Sequence, residues 1–284
     1  MTLLEKRMRG LNKDLSGAIS KITGKPAPKA VHRLRTTIRR IESLVSYSHP
    51  ALKKKLERSL EKMADLRKRA GKVRDLDVQM GLLKALGNGS TVRDRKTLAA
   101  ILEKKRERQV KRLESTIDKI QKSKFFSRME RIAVHAGAVQ DGKDRPLAPL
   151  EEAIAQLAVM ASDFARHALN PSRLHEARLT LKRIRYLAEL AEGSAAQKNF
   201  IRELKLVQDA VGEWHDWQEL TVTAEKRFSD RVNCALLREV RALLSARHST
   251  ATSAIQNLFA LALAPGRKPP GSAQFLQITT RSAS

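Results

Sequence analysis

The sequence of 284 residues contains a single cysteine and few aromatic residues, and both shortages limit what the protein can be. Cys234 has no second cysteine to pair with, so no internal disulfide forms, as is typical of proteins in a reducing compartment. Aromatic residues make up 4% of the chain, while hydrophobic residues of all kinds make up 42%. We therefore expect a core of aliphatic side chains, which suits packed helices.

Long hydrophobic runs are also missing. No stretch approaches the ~18 consecutive apolar residues that a membrane-spanning helix needs. The first ten residues, MTLLEKRMRG, lack the apolar centre of a signal peptide. From these two observations we expect a soluble, cytoplasmic protein with no membrane partner.

Motifs that support catalysis or metal binding are not found in the sequence. It has no Gly-x-x-x-x-Gly-Lys-[Ser/Thr] loop and no His-Glu-x-x-His pair. His175-Glu176 has no second histidine within reach, and the seven histidines offer no ligand pair on one helical turn. We therefore predict that the protein is not an enzyme and that it holds no metal ion and no cofactor.

Acidic residues are too few to balance the basic ones. The chain has 56 Lys and Arg against 30 Asp and Glu, a formal charge of +26. Residues 1–145 hold 38 basic and 16 acidic residues, so they carry +22 of that charge. Such a charge opposes compact folding by self-repulsion and implies a polyanionic partner, which could be nucleic acid, polyphosphate or an anionic membrane.

One eleven-residue pattern occurs twice, at residues 31–41 and 174–184, an offset of 143 residues. Both copies read apolar-His-x-x-Arg-x-Thr-apolar-[Arg/Lys]-Arg-Ile, which we interpret as an internal duplication. In each copy the apolar residues step by three and four, as on one face of a helix. The cations step in the same way and form a second stripe about 110° around the helix. The stripes contain His32, Arg35 and Arg39 in the first copy and His175, Arg178, Lys182 and Arg185 in the second.

A single basic stripe of this kind is commonly a solvated face with an incidental histidine. Two copies at the same phase favour a shared function. A further basic stripe follows the first copy on the next predicted helix, also beside an apolar one. It consists of Lys55, Arg58, Lys62 and Arg69.

The duplication extends to a Gly-x-apolar-basic-Asp element at residues 71–75 and 212–216. For Asp75 and Asp216 we favour a structural role over direct contact with a ligand. A buried aspartate that pairs with an arginine or caps a neighbouring helix would hold two helices in register.

Periodicity and breaker residues predict helices throughout the chain. The expected helices span about residues 2–22, 29–48, 51–86, 91–123, 124–140, 147–169, 171–192, 195–228 and 230–263. Residues 141–146 form the clearest linker. We predict a strongly basic first half at 1–145, a second half at 146–264 and a mobile tail at 265–284.

The paired His stretches, each followed by Gly-x-apolar-x-Asp, resemble the CHAD domain, the conserved histidine α-helical domain. The resemblance covers about residues 5–263. It implies an all-α fold of two antiparallel helical bundles related by a pseudo-two-fold. It also implies a basic central surface that binds inorganic polyphosphate, and association with polyphosphate granules in some members.

Carried over residue by residue, the family's motif falls on nine positions of this sequence. They are His32, Arg35, Arg39 and Arg40 in the first half and His175, Arg178, Lys182, Arg183 and Arg185 in the second. Two positions depart from the repeat. Glu42 stands where the second copy has Arg185, and His215 stands where the first half has Arg74.

We therefore predict that the protein binds inorganic polyphosphate where its two halves meet, through these nine residues and the stripe from Lys55 to Arg69. Polyphosphate carries about one charge per phosphate and needs only a line of cations. Nucleic-acid binding is the alternative, but the sequence has no recognition motif and few aromatic residues for stacking on bases. Some CHAD proteins carry a fused triphosphate tunnel domain, whose Glu-x-Glu-x-Lys motif is missing from this sequence.

Overall fold

The computed structural model describes residues 3–47, 50–86, 92–139, 148–166, 169–191, 193–229 and 233–263. Within these ranges the regular elements are nine helices and no strands, which confirms the all-α prediction. The helices are α1 Leu3–Ile19, α2 Pro28–Tyr47, α3 Pro50–Ala85, α4 Val92–Gln121, α5 Phe125–Val139, α6 Pro149–Phe164, α7 Pro171–Ala188, α8 Ala195–Phe228 and α9 Ala235–Leu263. The predicted linker at 141–146 and tail at 265–284 lie outside the described residues.

The two copies of the repeated pattern form α2 and α7, and their apolar stripes are buried. The five stripe residues of α2 are at most 1% exposed, and those of α7 are 0% exposed. These residues are Val31, Leu34, Ile38, Ile41 and Val45 in α2 and Leu174, Ala177, Leu181, Ile184 and Ala188 in α7. Both helices begin at a proline. Proline suits the first helical turn because a backbone N–H there has no acceptor within the helix, so its absence costs no hydrogen bond. The predicted pseudo-two-fold between the copies stays a prediction.

The chain divides into two compact units. The first contains Met1–Pro146 and Val222–Glu239, and the second contains Leu147–Thr221 and Val240–Ser284. The end of α8 and the start of α9 therefore belong to the first compact unit. The hydroxyl of Thr223 donates to Oε1 of Gln79 at 3.1 Å, and Sγ of Cys234 lies 3.9 Å from Oδ2 of Asp94. The domain division at residue 145 stays a prediction from the sequence.

A buried ion pair ties three segments of the first unit together. Nε of Arg106 on α4 donates to Oδ1 of Asp77 on α3 at 2.5 Å, and its Nη2 donates to the carbonyl of Pro26 at 2.7 Å. The side chain of Asp77 is 1% exposed and that of Arg106 is 15% exposed. Such a pair fixes the position of α3, on which several of the predicted cations lie.

In the second unit, buried side-chain amides join α8 to α7. Gln208 donates to the carbonyl of Leu181 at 2.7 Å, and Gln197 donates to the carbonyl of Ala188 at 2.9 Å. At the other end of α7, the side chain of Asn170 accepts from the backbone N–H of Arg173 and caps the helix. These contacts set the axial position of α7, and with it the position of its basic stripe.

Across the described ranges, none of the helices combines the length and the apolar character that crossing a membrane requires.

The Arg106–Asp77 pair predicts an unequal response to two leucine substitutions on α4. Arg106→Leu leaves the Asp77 carboxylate buried without its partner, so we expect a loss of roughly 3–5 kcal/mol in the free energy of unfolding. Arg108→Leu, at an exposed position on the same helix, is the control and should change it by about 0.5 kcal/mol or less. Urea denaturation followed by circular dichroism measures both. Similar losses for the two variants would contradict the role given to the pair.

Candidate anion-binding site

In α2 the basic stripe lies directly beside the buried apolar stripe. Arg35 and Arg39 are half-buried, while His32 and Arg40 are exposed. Because Ile38 and its neighbours fix the rotation of the helix, the half-buried arginines extend from a constrained position. The structure thus places all four predicted residues of α2 on or near the surface, with Arg35 and Arg39 more buried than His32 and Arg40.

Arg35 is oriented by the next helix. Its Nη1 donates to Oδ1 of Asp75 at 3.2 Å and to the carbonyl of Gly71 at 3.3 Å, both on α3. A Cβ atom at residue 71 would lie 3.4 Å from that same nitrogen, an ordinary contact distance, so the guanidinium lies directly against the backbone of Gly71. The first and last residues of the Gly-x-apolar-basic-Asp element in the first half therefore both accept hydrogen bonds from Arg35.

The pairing of Asp75 with an arginine agrees with the structural role favoured from the sequence. Its carboxylate is not buried, however, because the side chain is 52% exposed, against 17% for Arg35. An exposed pair of this kind contributes little to stability. Its effect is to limit the directions in which the Arg35 side chain extends.

The departure from the repeat at Glu42 is compensated locally. Nε of Arg67 on α3 donates to Oε1 of Glu42 at 2.9 Å. At the matching position of α7, Nε of Arg185 lies 3.6 Å from Oε1 of Glu189, and its guanidinium lies 5.0 Å from the ring centroid of Tyr186. Each copy therefore pairs this position with a residue of opposite charge.

The basic stripe of α3 is also divided by its surroundings. Lys55, Arg58 and Lys62 are exposed. Arg69 is half-buried, with its Nε 3.4 Å from Oδ1 of Asp65 one turn earlier. The exposed three are therefore better placed than Arg69 to meet an anion from solvent.

In the second unit, α7 and α8 place two histidines beside two cations. The rings of His175 and His215 have centroids 5.4 Å apart. Burial lowers the pKa of His215 to about 3, and the positive charges of Arg178, His175 and Lys182 act in the same direction, while a hydrogen bond with Gln218 opposes them. Burial is thus the main cause of the low pKa, and the nearby charges of α7 add to it.

His215 is the functional candidate that sequence reasoning did not select. The sequence showed it only as a departure from Arg74 of the first half, and no spacing within α8 indicated that it would face His175 on α7. Because its pKa is about 3, it is neutral near pH 7 and adds no charge of its own. Arg178 and Lys182, which act on His215, are both half-buried.

The remaining predicted residue of α7, Arg183, is exposed and donates from Nη2 to the hydroxyl of Thr180 at 3.1 Å. The structure thus brings together Arg35, Gly71 and Asp75 in the first unit, and His175, His215, Arg178 and Lys182 in the second. That the two groups form one surface stays a prediction. Among the described residues, no group of three or more His, Cys, Asp or Glu side chains is arranged to hold a metal ion.

Comparison with known proteins places this geometry in a family. The CHAD domain model matches residues 4–225. Among solved structures, the CHAD domain from the plant Ricinus communis superposes with a TM-score of 0.68 at 15% sequence identity, covering 94% of this chain and 92% of that one. PptA from Streptomyces chartreusis gives a TM-score of 0.59 at 16% identity, covering 92% and 97% respectively. No curated protein sequence matches the chain.

The low pKa of His215 predicts a specific loss of stability in acid. Between the ordinary histidine pKa of ~6.5 and about 3, the unfolded chain binds a proton at residue 215 and the folded chain does not. Stability should therefore fall as the pH is lowered through this window, by up to ~1.4 kcal/mol per pH unit from this residue, and should not depend on it above pH ~7.

His215→Gln should make the free energy of unfolding less dependent on pH between 6.5 and 4, as measured by urea denaturation at a series of pH values. The parent protein, measured at the same pH values, is the reference. If the variant keeps the slope of the parent protein, His215 does not titrate as described.

Proposed function

We propose that this chain, which belongs to the CHAD domain family, binds inorganic polyphosphate through the basic stripes of its His helices. The observation that carries the proposal is the repeated arrangement in α2 and α7. In each helix a fully buried apolar stripe lies beside half-buried cations, Arg35 and Arg39 in one and Arg178 and Lys182 in the other.

The chemistry of polyphosphate suits this arrangement. The chain is flexible and has no bases or side groups to recognise, so binding requires several cations at fixed positions. Arginine offers bidentate hydrogen bonds to phosphate oxygens, and lysine offers a compact charge. The +26 net charge attracts a polyanion over longer distances, so affinity should fall with added salt, as it does for proteins that bind nucleic acids.

The proposed binding surface, which we call the polyphosphate track, lies where the two halves of the sequence meet. Its centre consists of Arg35, Arg39, Arg178 and Lys182. Its remaining members are His32, Arg40, Lys55, Arg58, Lys62, Arg69, His175, Arg183 and Arg185. Carboxylates of Asp65 and Glu189 lie beside Arg69 and Arg185, as that of Asp75 lies beside Arg35, so a bound polyanion competes with these carboxylates for the three arginines. Association with polyphosphate granules would follow from such binding.

We also propose that the protein binds polyphosphate without hydrolysing it, since the sequence has no catalytic motif. Purified protein incubated with polyphosphate or triphosphate, with and without divalent cations, should release no more phosphate than buffer alone. Turnover that is lost in variants of α2 or α7 would show instead that the His helices form an active site.

If the track exists, affinity for polyphosphate should depend more on the positions of the basic residues than on their total charge. A variant with glutamine at Arg35, Arg39, Arg178 and Lys182 is compared with one that has glutamine at Lys104, Lys105, Arg108 and Lys111 on α4, which loses the same charge. Single arginine changes at the centre should weaken binding by roughly 1–3 kcal/mol, so the first quadruple variant should lose most of its affinity. The α4 variant should mainly alter the association rate and the salt dependence. Calorimetry with polyphosphate at about 0.15 M salt measures this difference.

Equal losses in the two variants would mean that binding is diffuse attraction by net charge and that the track does not exist. The same titrations with DNA and RNA of matched charge test the alternative of nucleic-acid binding. On the proposed function, polyphosphate binds more tightly than either nucleic acid, and only polyphosphate distinguishes the two variants. Tighter binding of a nucleic acid would favour the alternative.

A further inference from the structure

Arg35 is held by α3 through one of its three guanidinium nitrogens. Nη1 carries two N–H groups and donates to two acceptors, Oδ1 of Asp75 at 3.2 Å and the carbonyl of Gly71 at 3.3 Å. Within the part of the chain that the structure describes, Nε and Nη2 of Arg35 make no hydrogen bond, and neither atom is shielded from solvent. Both hydrogens of Nη1 are thus used, while three N–H groups remain for a ligand.

The remaining N–H groups have the arrangement that phosphate recognition requires. Arginine binds a phosphate group most specifically through two parallel N–H···O bonds. With Nη1 occupied, Nε and Nη2 of Arg35 supply such a pair along one edge of the planar guanidinium. Asp75 and a bound phosphate therefore compete for Nη1 alone, and Asp75 keeps its place while the other edge binds the ligand.

We propose that Asp75 is a positioning residue that strengthens the binding of polyphosphate, although its charge has the same sign as that of the ligand. By holding Nη1, it fixes Arg35 with the Nε–Nη2 edge ready for one phosphate group of the chain. Fixing a long side chain before the ligand arrives reduces the entropy that binding costs. The role given to Asp75 rests on the proposed function, because Arg35 belongs to the centre of the track.

The exposure of the pair favours this role over a role in stability. The side chain of Asp75 is 52% exposed and that of Arg35 is 17% exposed. An ion pair with an exposed partner contributes little to the free energy of unfolding. The buried pair of Asp77 with Arg106 already fixes α3 two residues along the same helix. The main effect of Asp75 is therefore on the Arg35 side chain and not on the packing of the helices.

The contact with the glycine is found in the first copy of the repeat and not in the second. Within the described ranges, a Cβ atom at Gly212, which matches Gly71 in sequence, would have no neighbour within 4 Å. No side chain there lies against that glycine in the way that Arg35 lies against Gly71. The sequence repeat would give the two copies the same contact, so the holding of Arg35 is a property that the structure reveals.

The test measures the affinity for long-chain polyphosphate by calorimetry at about 0.15 M salt. Asp75→Ala removes both the negative charge and the acceptor, whereas Asp75→Asn removes the charge but keeps an oxygen that accepts from Nη1. If charge alone acted, both variants would bind more tightly than the parent protein and to the same extent. We expect Asp75→Ala to bind roughly two- to tenfold more weakly, the range for ordering one long side chain, and Asp75→Asn to bind at least as tightly as the parent.

Asp65→Ala is the matched control on α3. The side chain of Asp65 is 49% exposed and lies 3.4 Å from Nε of Arg69, another member of the track. Among the described residues, that Nε has no hydrogen-bond partner. The control therefore removes the same charge beside a track arginine without removing a hydrogen bond, and it should bind no more weakly than the parent. The proposal is overturned if Asp75→Ala and Asp65→Ala have equal affinity.

Arg35→Gln separates a failure of this proposal from a failure of the track. Asp75→Ala should weaken binding in the parent protein but not in Arg35→Gln, because no guanidinium is then left to hold. Equal weakening in both backgrounds would mean that Asp75 acts through the fold alone, and would overturn the proposal. If Arg35→Gln binds as tightly as the parent, the track is wrong at Arg35 and the role of Asp75 fails with it. If Arg35→Gln weakens binding but Asp75→Ala does not, only the role of Asp75 fails.

Arg35→Lys tests whether the paired N–H groups are used. Lysine keeps the positive charge but has a single nitrogen, so it offers no parallel pair of donors. We expect this variant to bind polyphosphate more weakly than the parent protein. Equal affinity would show that position 35 contributes only a charge, which would contradict the orientation attributed to Asp75.

Discussion

The burial of one apolar stripe on each His helix is the constraint on which the basic surfaces depend. A cation on a long side chain is useful for binding only if its helix does not rotate. In α2 and α7 all ten stripe residues are at most 1% exposed, so rotation by even one position would bring polar groups into the core. The same packing that stabilises the bundle thereby directs Arg35, Arg39, Arg178 and Lys182.

The acidic residues act as local partners rather than as a general counterweight to the +26 charge. Asp77 binds Arg106 in the interior, Glu42 binds Arg67 between α2 and α3, and Asp75 orients Arg35. These carboxylates hold cations at helix–helix contacts, where unrelieved repulsion would oppose packing. Other basic side chains, such as Lys55 and Arg58, are left exposed to solvent. Basic residues paired with carboxylates thus allow the helices to pack, while exposed basic residues attract a polyanion.

Much of the fold could be predicted from the sequence, because helical periodicity and breaker residues are local signals. The stripe from Val31 to Val45 and the pairing of an arginine with Asp75 are examples. The proximity of His215 to His175 could not be predicted. It depends on which helix lies opposite, and a single sequence without a matching repeat does not encode that in any spacing. The ion pair between Arg185 and Glu189 was likewise not predicted, although both residues lie on the same helix one turn apart.

The grouping of Val222–Glu239 with the first unit has a consequence for how the protein is made. On the ribosome, Gln79 and Asp94 are synthesised long before their partners Thr223 and Cys234, which follow 144 and 140 residues later. Closing loops of that length is entropically costly and slow. The first unit therefore reaches its final packing only after most of the second has been synthesised. A chain cut at the boundary near residue 146 would lack a helical segment of its own first unit.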